Sequence, residues 1–337
     1  MNGHLLRVAP GVYASLRACS LAELADLIVF DVDGVLVDVS ASLPQVVASA
    51  VQRYLAEAGF EAEGLALQAH DIADFKAAGG FNDDWDLAYA VVLFYLVRAR
   101  AEGHRNVADL RRLKPTLADV SRQLSRTGGG LTGFQDVVLE ALTAAQRRAV
   151  TGELDRSRLE ELLMELYAGD ASPEVYGHVP EGPRGEGLIQ RERPLVTAMD
   201  LPPGARCGVY TGRTRGELRQ SLRMLGLESL FDDNAIITRD SGVSKPDPSG
   251  LRQLAERFGP RVMLYVGDNV DDWIAAARYE TDRPRHLAPC LFGGVLGGAP
   301  GALAWTVLQE RGVELLADSA SSLLGWVKTR MALAARA

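Results

Sequence analysis

The apolar residues of this chain fall into two kinds of stretch, unbroken runs and runs spaced at three and four. The unbroken runs are Leu27-Ile28-Val29-Phe30, Cys207-Gly208-Val209-Tyr210, Ala235-Ile236-Ile237 and Val262-Met263-Leu264-Tyr265-Val266, and Val313-Glu314-Leu315-Leu316 is a last strand-like piece. A half-exposed strand alternates apolar and polar residues, so runs without alternation predict parallel strands buried on both faces. Helices are predicted at 215–225, closed by Gly226, at 248–257, opened by Pro248 and stopped by Gly259, and at 319–333. Strands alternating with helices predict an α/β fold, a doubly wound parallel sheet with right-handed crossovers.

The order is interrupted once. Residues 42–200 carry helical spacing at 44–58, 87–98, 107–125, 134–150 and 159–167, with breaks at Gly128-Gly129-Gly130 and through the Gly- and Pro-rich stretch 169–187. The expectation is a core domain from 1–41 and 201–337 and a helical domain from 42–200, with a linker at about 169–200 and short hinges near 38–43 and 190–202. No charge occurs from Leu287 to Leu308, a length that would span a bilayer, but Gly293, Gly294, Gly297, Gly298 and Gly301, with Pro289 and Pro300, make it a poor helix. It reads as a buried strand and a loop.

Composition narrows the classes. Of 337 residues 47% are hydrophobic and 24% charged, a globular balance, and the net charge of −8 argues against a nucleic-acid partner. Cys19, Cys207 and Cys290 form no CxxC pair, and the N-terminal residues lack a basic segment followed by a long apolar one, so a cytoplasmic protein without disulfides is expected. The five histidines are scattered, no GxSxG occurs, and the triple glycine neither follows a strand nor precedes a P-loop lysine.

The candidate chemistry sits at strand ends, where open α/β sheets bind ligands. Asp31 and Asp33 follow the first run, Thr211-Gly212-Arg213 the second, Lys245 lies in the loop after the third, and Asp268 and Asp272 follow the fourth. Three carboxylates brought together repel one another, and a hard cation such as Mg²⁺ resolves the repulsion while tolerating a substrate phosphate. With Lys245 adding positive charge, Asp31 would attack phosphorus, and Asp33 would deliver a proton to the leaving alcohol and later take one from water. The Thr211 hydroxyl and the N–H groups of Val32 and Gly212 would hold phosphoryl oxygens, and Arg213 would clamp the substrate. Within the insert, Gly79-Gly80 suit a loop, with Asn82 or Asp83 capping the helix that follows and Lys76 and Asn82 reaching the substrate.

Taken together, FDVDGVLVD at 30–38, VYTGR at 209–213, SKPDP at 244–248 and YVGDNVDD at 265–272 resemble, in order, the four motifs of haloacid dehalogenase superfamily hydrolases, subfamily IA-like. The resemblance implies a Rossmann-like core with a helical C1-type cap inserted after the first strand, longer here than usual. It implies Asp31 as nucleophile, Asp33 as acid/base with its carbonyl toward the metal, Thr211 as phosphate binder, Lys245 as charge partner, and Asp268 and Asp272 as metal residues. Segment 75–86 resembles a subgroup joined to histidinol-phosphate-aminotransferase-like proteins, which implies an amino-alcohol or amino-acid phosphate. The expected activity is a Mg²⁺-dependent phosphatase acting on a small phosphorylated metabolite, with no nucleic acid or membrane as partner and a homodimer admissible. A sugar phosphomutase using the same aspartyl phosphate and a catalytically idle binding protein are the alternatives; a dehalogenase has no use for Asp33.

Overall fold

The computed structural model describes residues 5–61, 63–81, 83–127, 129–182, 185–296 and 301–335. The chain divides into two compact units, one of residues 1–40 and 192–337, the other of residues 41–191.

The first unit is built on an eight-stranded sheet. Its strands are β1 (Leu6–Ala9), β2 (Val12–Ala14), β3 (Ala25–Phe30), β6 (Arg206–Tyr210), β7 (Ile236–Ile237), β8 (Val262–Gly267), β9 (Cys290–Val295) and β10 (Leu315–Ala317), while β4 (Val37–Asp38) and β5 (Arg193–Pro194) form a separate two-stranded ribbon. The order across the sheet is β1-β2-β10-β9-β8-β3-β6-β7. All pairs from β10 to β7 are parallel, and the N-terminal hairpin adds antiparallel strands at the β10 edge.

The unbroken runs follow from burial on both faces. In β3, Ile28 and Phe30 join one apolar core with Leu264 and Val266 of β8, while Leu27 and Val29 join a second with Met263 and Tyr265. Neither face meets water, so neither needs polar residues. Helices Arg215–Met224, Ser249–Phe258, Val270–Asp282 and Ala320–Ala334 cover the sheet. The second half of the uncharged stretch differs from its reading as loop: Gly301–Glu310 is a helix, with Leu308 buried in the second core. No helix among the described residues is long and apolar enough to cross a membrane.

The second unit is helical, with Leu43–Glu57, Ala69–Ala78, Asp84–Glu102 and Arg156–Ala168 among its longer elements. Asp84–Glu102 is apolar nearly all round and buried from Leu87 to Val97 except at Tyr89, as befits a central helix. The spacing at 107–125 predicts one helix, but Pro115 divides it into Val107–Arg112 and Leu117–Thr127. Likewise 134–150 becomes Gly130–Leu139 and Ala144–Glu153, the second opened by a Thr143 capping box. Residues 192–200, assigned to the linker from sequence, fold with the first unit, where Val196 is buried in the first core.

Candidate active site

Parallel register brings the sequence clusters to one edge of the first unit. Phe30 of β3 lies level with Val209 of β6 on one side and Val266 of β8 on the other. Asp31, Thr211 and Asp268 therefore leave the sheet from three neighbouring strands at their C-terminal ends. The Asp31 N–H donates to the Val266 carbonyl at 2.9 Å and the Thr211 N–H to the Ile237 carbonyl at 3.0 Å, so the ladder fixes both backbones up to the site. Gly34 turns the chain back at φ 73°, and a Cβ there would lie 2.0 Å from the Asp268 carboxylate. Only glycine satisfies both the left-handed backbone and this close approach.

The centre is a buried cluster of charge. Lys245 Nζ lies 2.7 Å from Asp31 Oδ1 and 2.8 Å from Asp272 Oδ1, with all three side chains nearly inaccessible. The Tyr265 hydroxyl donates to Asp272 Oδ1 at 2.5 Å, and the N–H groups of Asp268 and Asn269 donate to its Oδ2 at 3.2 and 3.3 Å. Asn269 caps the helix Val270–Asp282 by accepting from the N–H groups of Asp271 and Asp272. Tyr210 helps to seat the Lys245 loop, its hydroxyl donating to the Asp247 carbonyl at 2.7 Å.

Asp31, Asp268 and Asp272 each present a carboxylate oxygen within 4.8 Å of the others. Three carboxylates against one ammonium leave excess negative charge. Burial first, then the Asp272 carboxylate, push the Asp31 carboxyl up from its ordinary 3.8 to about 7, although Lys245 pulls the other way. Burial works against the Lys245 charge, but Asp272 and Asp31 outweigh it and hold the ammonium well above its ordinary value. Burial, then Asp272, keeps the Tyr265 phenol protonated, as its donor role requires. A set of hard oxygen donors with uncompensated charge fits a divalent cation such as Mg²⁺.

The remaining sequence-read residues fare differently. Asp33 stands at the rim, its side chain 28% exposed, in an ion pair with Arg213. Arg213, expected to clamp the substrate, is buried, and its N–H groups are taken by Asp33, Glu192 and Ser221. It is therefore a strut within the site's wall. The Thr211 hydroxyl accepts from the Arg213 N–H at 3.2 Å, Gly212 lying between them. Lys76 lies in the helix Ala69–Ala78 rather than in a loop and pairs with Asp84 at 3.0 Å; Asn82 falls outside the described residues. Asp83 caps the helix Asp84–Glu102, as its position predicts.

Glu192, Ser221 and Tyr265 were missed. Tyr265 reads as one more core residue of an apolar run, and the phenol at the third position before Asp268 is the only signal that the strand reaches for a polar group. Glu192 lies in a segment that reads as linker, 21 residues from its partner.

Residues 193–279 match a family model for haloacid dehalogenase-like hydrolases. A phosphoglycolate phosphatase from Cereibacter sphaeroides is 32% identical over 168 residues, which cover 46% of this chain and 69% of that protein. Of solved structures, phosphatase Tt82 from Thermococcus thioreducens is similar with a TM-score of 0.53 at 22% identity, covering 83% of this chain and 98% of that one. A structural-genomics X-ray structure is similar with a TM-score of 0.56 at 17% identity, covering 90% and 98%. The two structural likenesses concern the fold alone.

Proposed function

The chain belongs to the haloacid dehalogenase superfamily of hydrolases and is a phosphoric monoester hydrolase, and from that premise we propose a Mg²⁺-dependent phosphatase that cleaves a small phosphorylated metabolite through a phosphorylated Asp31. The observation that carries this reading is the buried Asp31 carboxylate, with Lys245 at 2.7 Å and Asp268 and Asp272 in reach of a shared cation.

Mg²⁺ would be held by Asp31, Asp268 and the Asp33 carbonyl, with Asp272 adding its charge directly or through water. When bound, it offsets the carboxylates and draws charge from the phosphoryl oxygens. The chain's own residues do the rest. Lys245 keeps Asp31 ionised beside an incoming dianion. A carboxylate oxygen of Asp31 bonds to phosphorus as the ester P–O bond breaks, and Asp33 gives its proton to the departing oxygen. The Thr211 hydroxyl and the N–H groups of Val32 and Gly212 hold the phosphoryl oxygens in place. Asp33 then takes a proton from water, whose oxygen attacks phosphorus; the bond to Asp31 breaks and inorganic phosphate leaves.

The relatives named phosphoglycolate phosphatases make phosphoglycolate the first ester to test, and the 75–86 resemblance adds amino-alcohol and amino-acid phosphates. The experiment measures phosphate release from these esters with Mg²⁺, with EDTA and in Asp31→Asn. Turnover lost in both of the latter is the expected result. Full activity in Asp31→Asn would overturn the mechanism, and isomerised sugar phosphate without released phosphate would mark a mutase.

A further inference from the structure

The five side-chain N–H groups of Arg213 make five hydrogen bonds to four oxygens. Nε and Nη2 both donate to one oxygen of Asp33, Oδ1, at 2.8 and 2.5 Å. The opposite edge meets Glu192 as a fork, Nη2 to Oε1 at 3.0 Å and Nη1 to Oε2 at 3.1 Å. The last N–H, on Nη1, goes to Ser221 Oγ, which donates in turn to Glu192 Oε2 at 2.9 Å. Arg213 is 4% exposed and the Glu192 carboxylate fully covered. A guanidinium is planar, always charged and rigid once both edges are engaged. This one cannot swing toward a ligand without breaking a buried pair. Asp33 Oδ2, by contrast, has no hydrogen-bond partner among the described residues.

We propose that Arg213, gripped by Glu192 and Ser221, is the positioning residue for proton transfer by Asp33: it fixes the carboxyl and occupies Oδ1, so that the proton is carried on Oδ2. Two N–H donors aimed at Oδ1 exclude a hydrogen there. In the first step the O–H bond at Oδ2 breaks as the ester oxygen leaves phosphorus and takes that proton, and the Asp33 carboxylate left behind keeps the two hydrogen bonds that Arg213 donates to Oδ1. In the second step Oδ2 takes the proton of the attacking water. The inference rests on the reading of Asp33 as acid and base given above.

The test is leaving-group dependence, read as kcat/KM, which reports only events up to the first irreversible step. The probes are phosphoglycolate, or the alkyl ester the enzyme turns over fastest, and 2,4-dinitrophenyl phosphate, whose leaving group departs without a proton. Positioned proton transfer is worth about 10²–10⁴-fold, so Arg213→Met is expected to lose about 30-fold or more on the alkyl ester and under about 3-fold on the dinitrophenyl ester. Arg213→Lys recovers part of the loss, and Glu192→Gln repeats the same pattern more weakly. In the Asp33→Asn background, Arg213→Met adds no further discrimination between the esters. An equal fall on both esters, or an unchanged alkyl ester, would overturn the proposal. If Arg213→Met does not fold, Glu192→Gln decides by the same criterion. Asp33→Asn without any discrimination would remove Asp33 as the proton donor and this inference with it, while leaving Asp31 as nucleophile intact.

Discussion

Replacing the proposed nucleophile is expected to make the metal-free protein more stable. Asp31 is 2% exposed and held beside Asp272, and its carboxyl is raised from 3.8 to about 7. For a carboxyl with a raised folded value, the folded state binds the proton more tightly than the unfolded chain. Asp31 therefore takes nothing from stability below pH 3.8, takes progressively more as pH rises toward 7, and a constant amount above. At about 1.36 kcal/mol per tenfold change in proton affinity, the full loss is about 4 kcal/mol, and relaxation of the site would leave about 2–4 kcal/mol to recover. Asp31→Asn keeps the shape and removes the charge. Thermal unfolding in EDTA at pH 8 should give a midpoint higher by on the order of 5 °C or more, at about 2–4 °C per kcal/mol for a unit of this size. At pH 4.5 the gain should shrink to about a quarter of its pH 8 value. A variant no more stable than the parent at pH 8, or a gain independent of pH, would refute the charge-excess argument. Saturating Mg²⁺ should reverse the order, because it stabilises only the chain that binds it.

Three further outcomes follow from the same cluster. Lys245→Met leaves two buried carboxylates without their cation and should cost about 3–5 kcal/mol of stability, read by urea unfolding, along with all measurable turnover. Tyr265→Phe removes the hydroxyl on Asp272 Oδ1 and should cost about 1–3 kcal/mol with kcat lowered and KM nearly unchanged; a change confined to KM would contradict its place behind the site. Gly34→Ala forces a side chain onto the Asp268 carboxylate, so the Mg²⁺ concentration giving half-maximal activity should rise by about tenfold or more, equivalent to about 1.4 kcal/mol; unchanged Mg²⁺ dependence would show that Asp268 does not serve the metal.

The charged centre was legible because each of its parts immediately follows a strand or the loop after one. Once Leu27–Phe30 and Val262–Val266 are read as adjacent parallel strands, register forces Asp31 and Asp268 to the same edge, whatever the rest of the fold does. The N-terminal hairpin Leu6–Ala14 was not legible, because its strands are three and four residues long and gain their partner only from β10 at the far end of the sequence. The role of Arg213 was hidden for a related reason. Its position beside Thr211 suggests a ligand contact, and only the folded chain shows Glu192 and Ser221 filling the other side of the guanidinium. In the insert, helical spacing alone missed the break at Pro115, since the apolar period continues across it.

The ribbon of β4 and β5 pairs Val37 with Pro194 and Asp38 with Arg193, just before the chain departs from the sheet unit and just after it comes back. Antiparallel partners lie about 5 Å apart, a gap that a two-residue hairpin closes. The sheet unit therefore receives the two ends of the intervening polypeptide side by side, as it would those of a loop. Such a segment can be lengthened, shortened or exchanged without straining the strands that carry Asp31 and Asp268. The length and sequence of that segment can thus change while the strands carrying Asp31 and Asp268 keep their register.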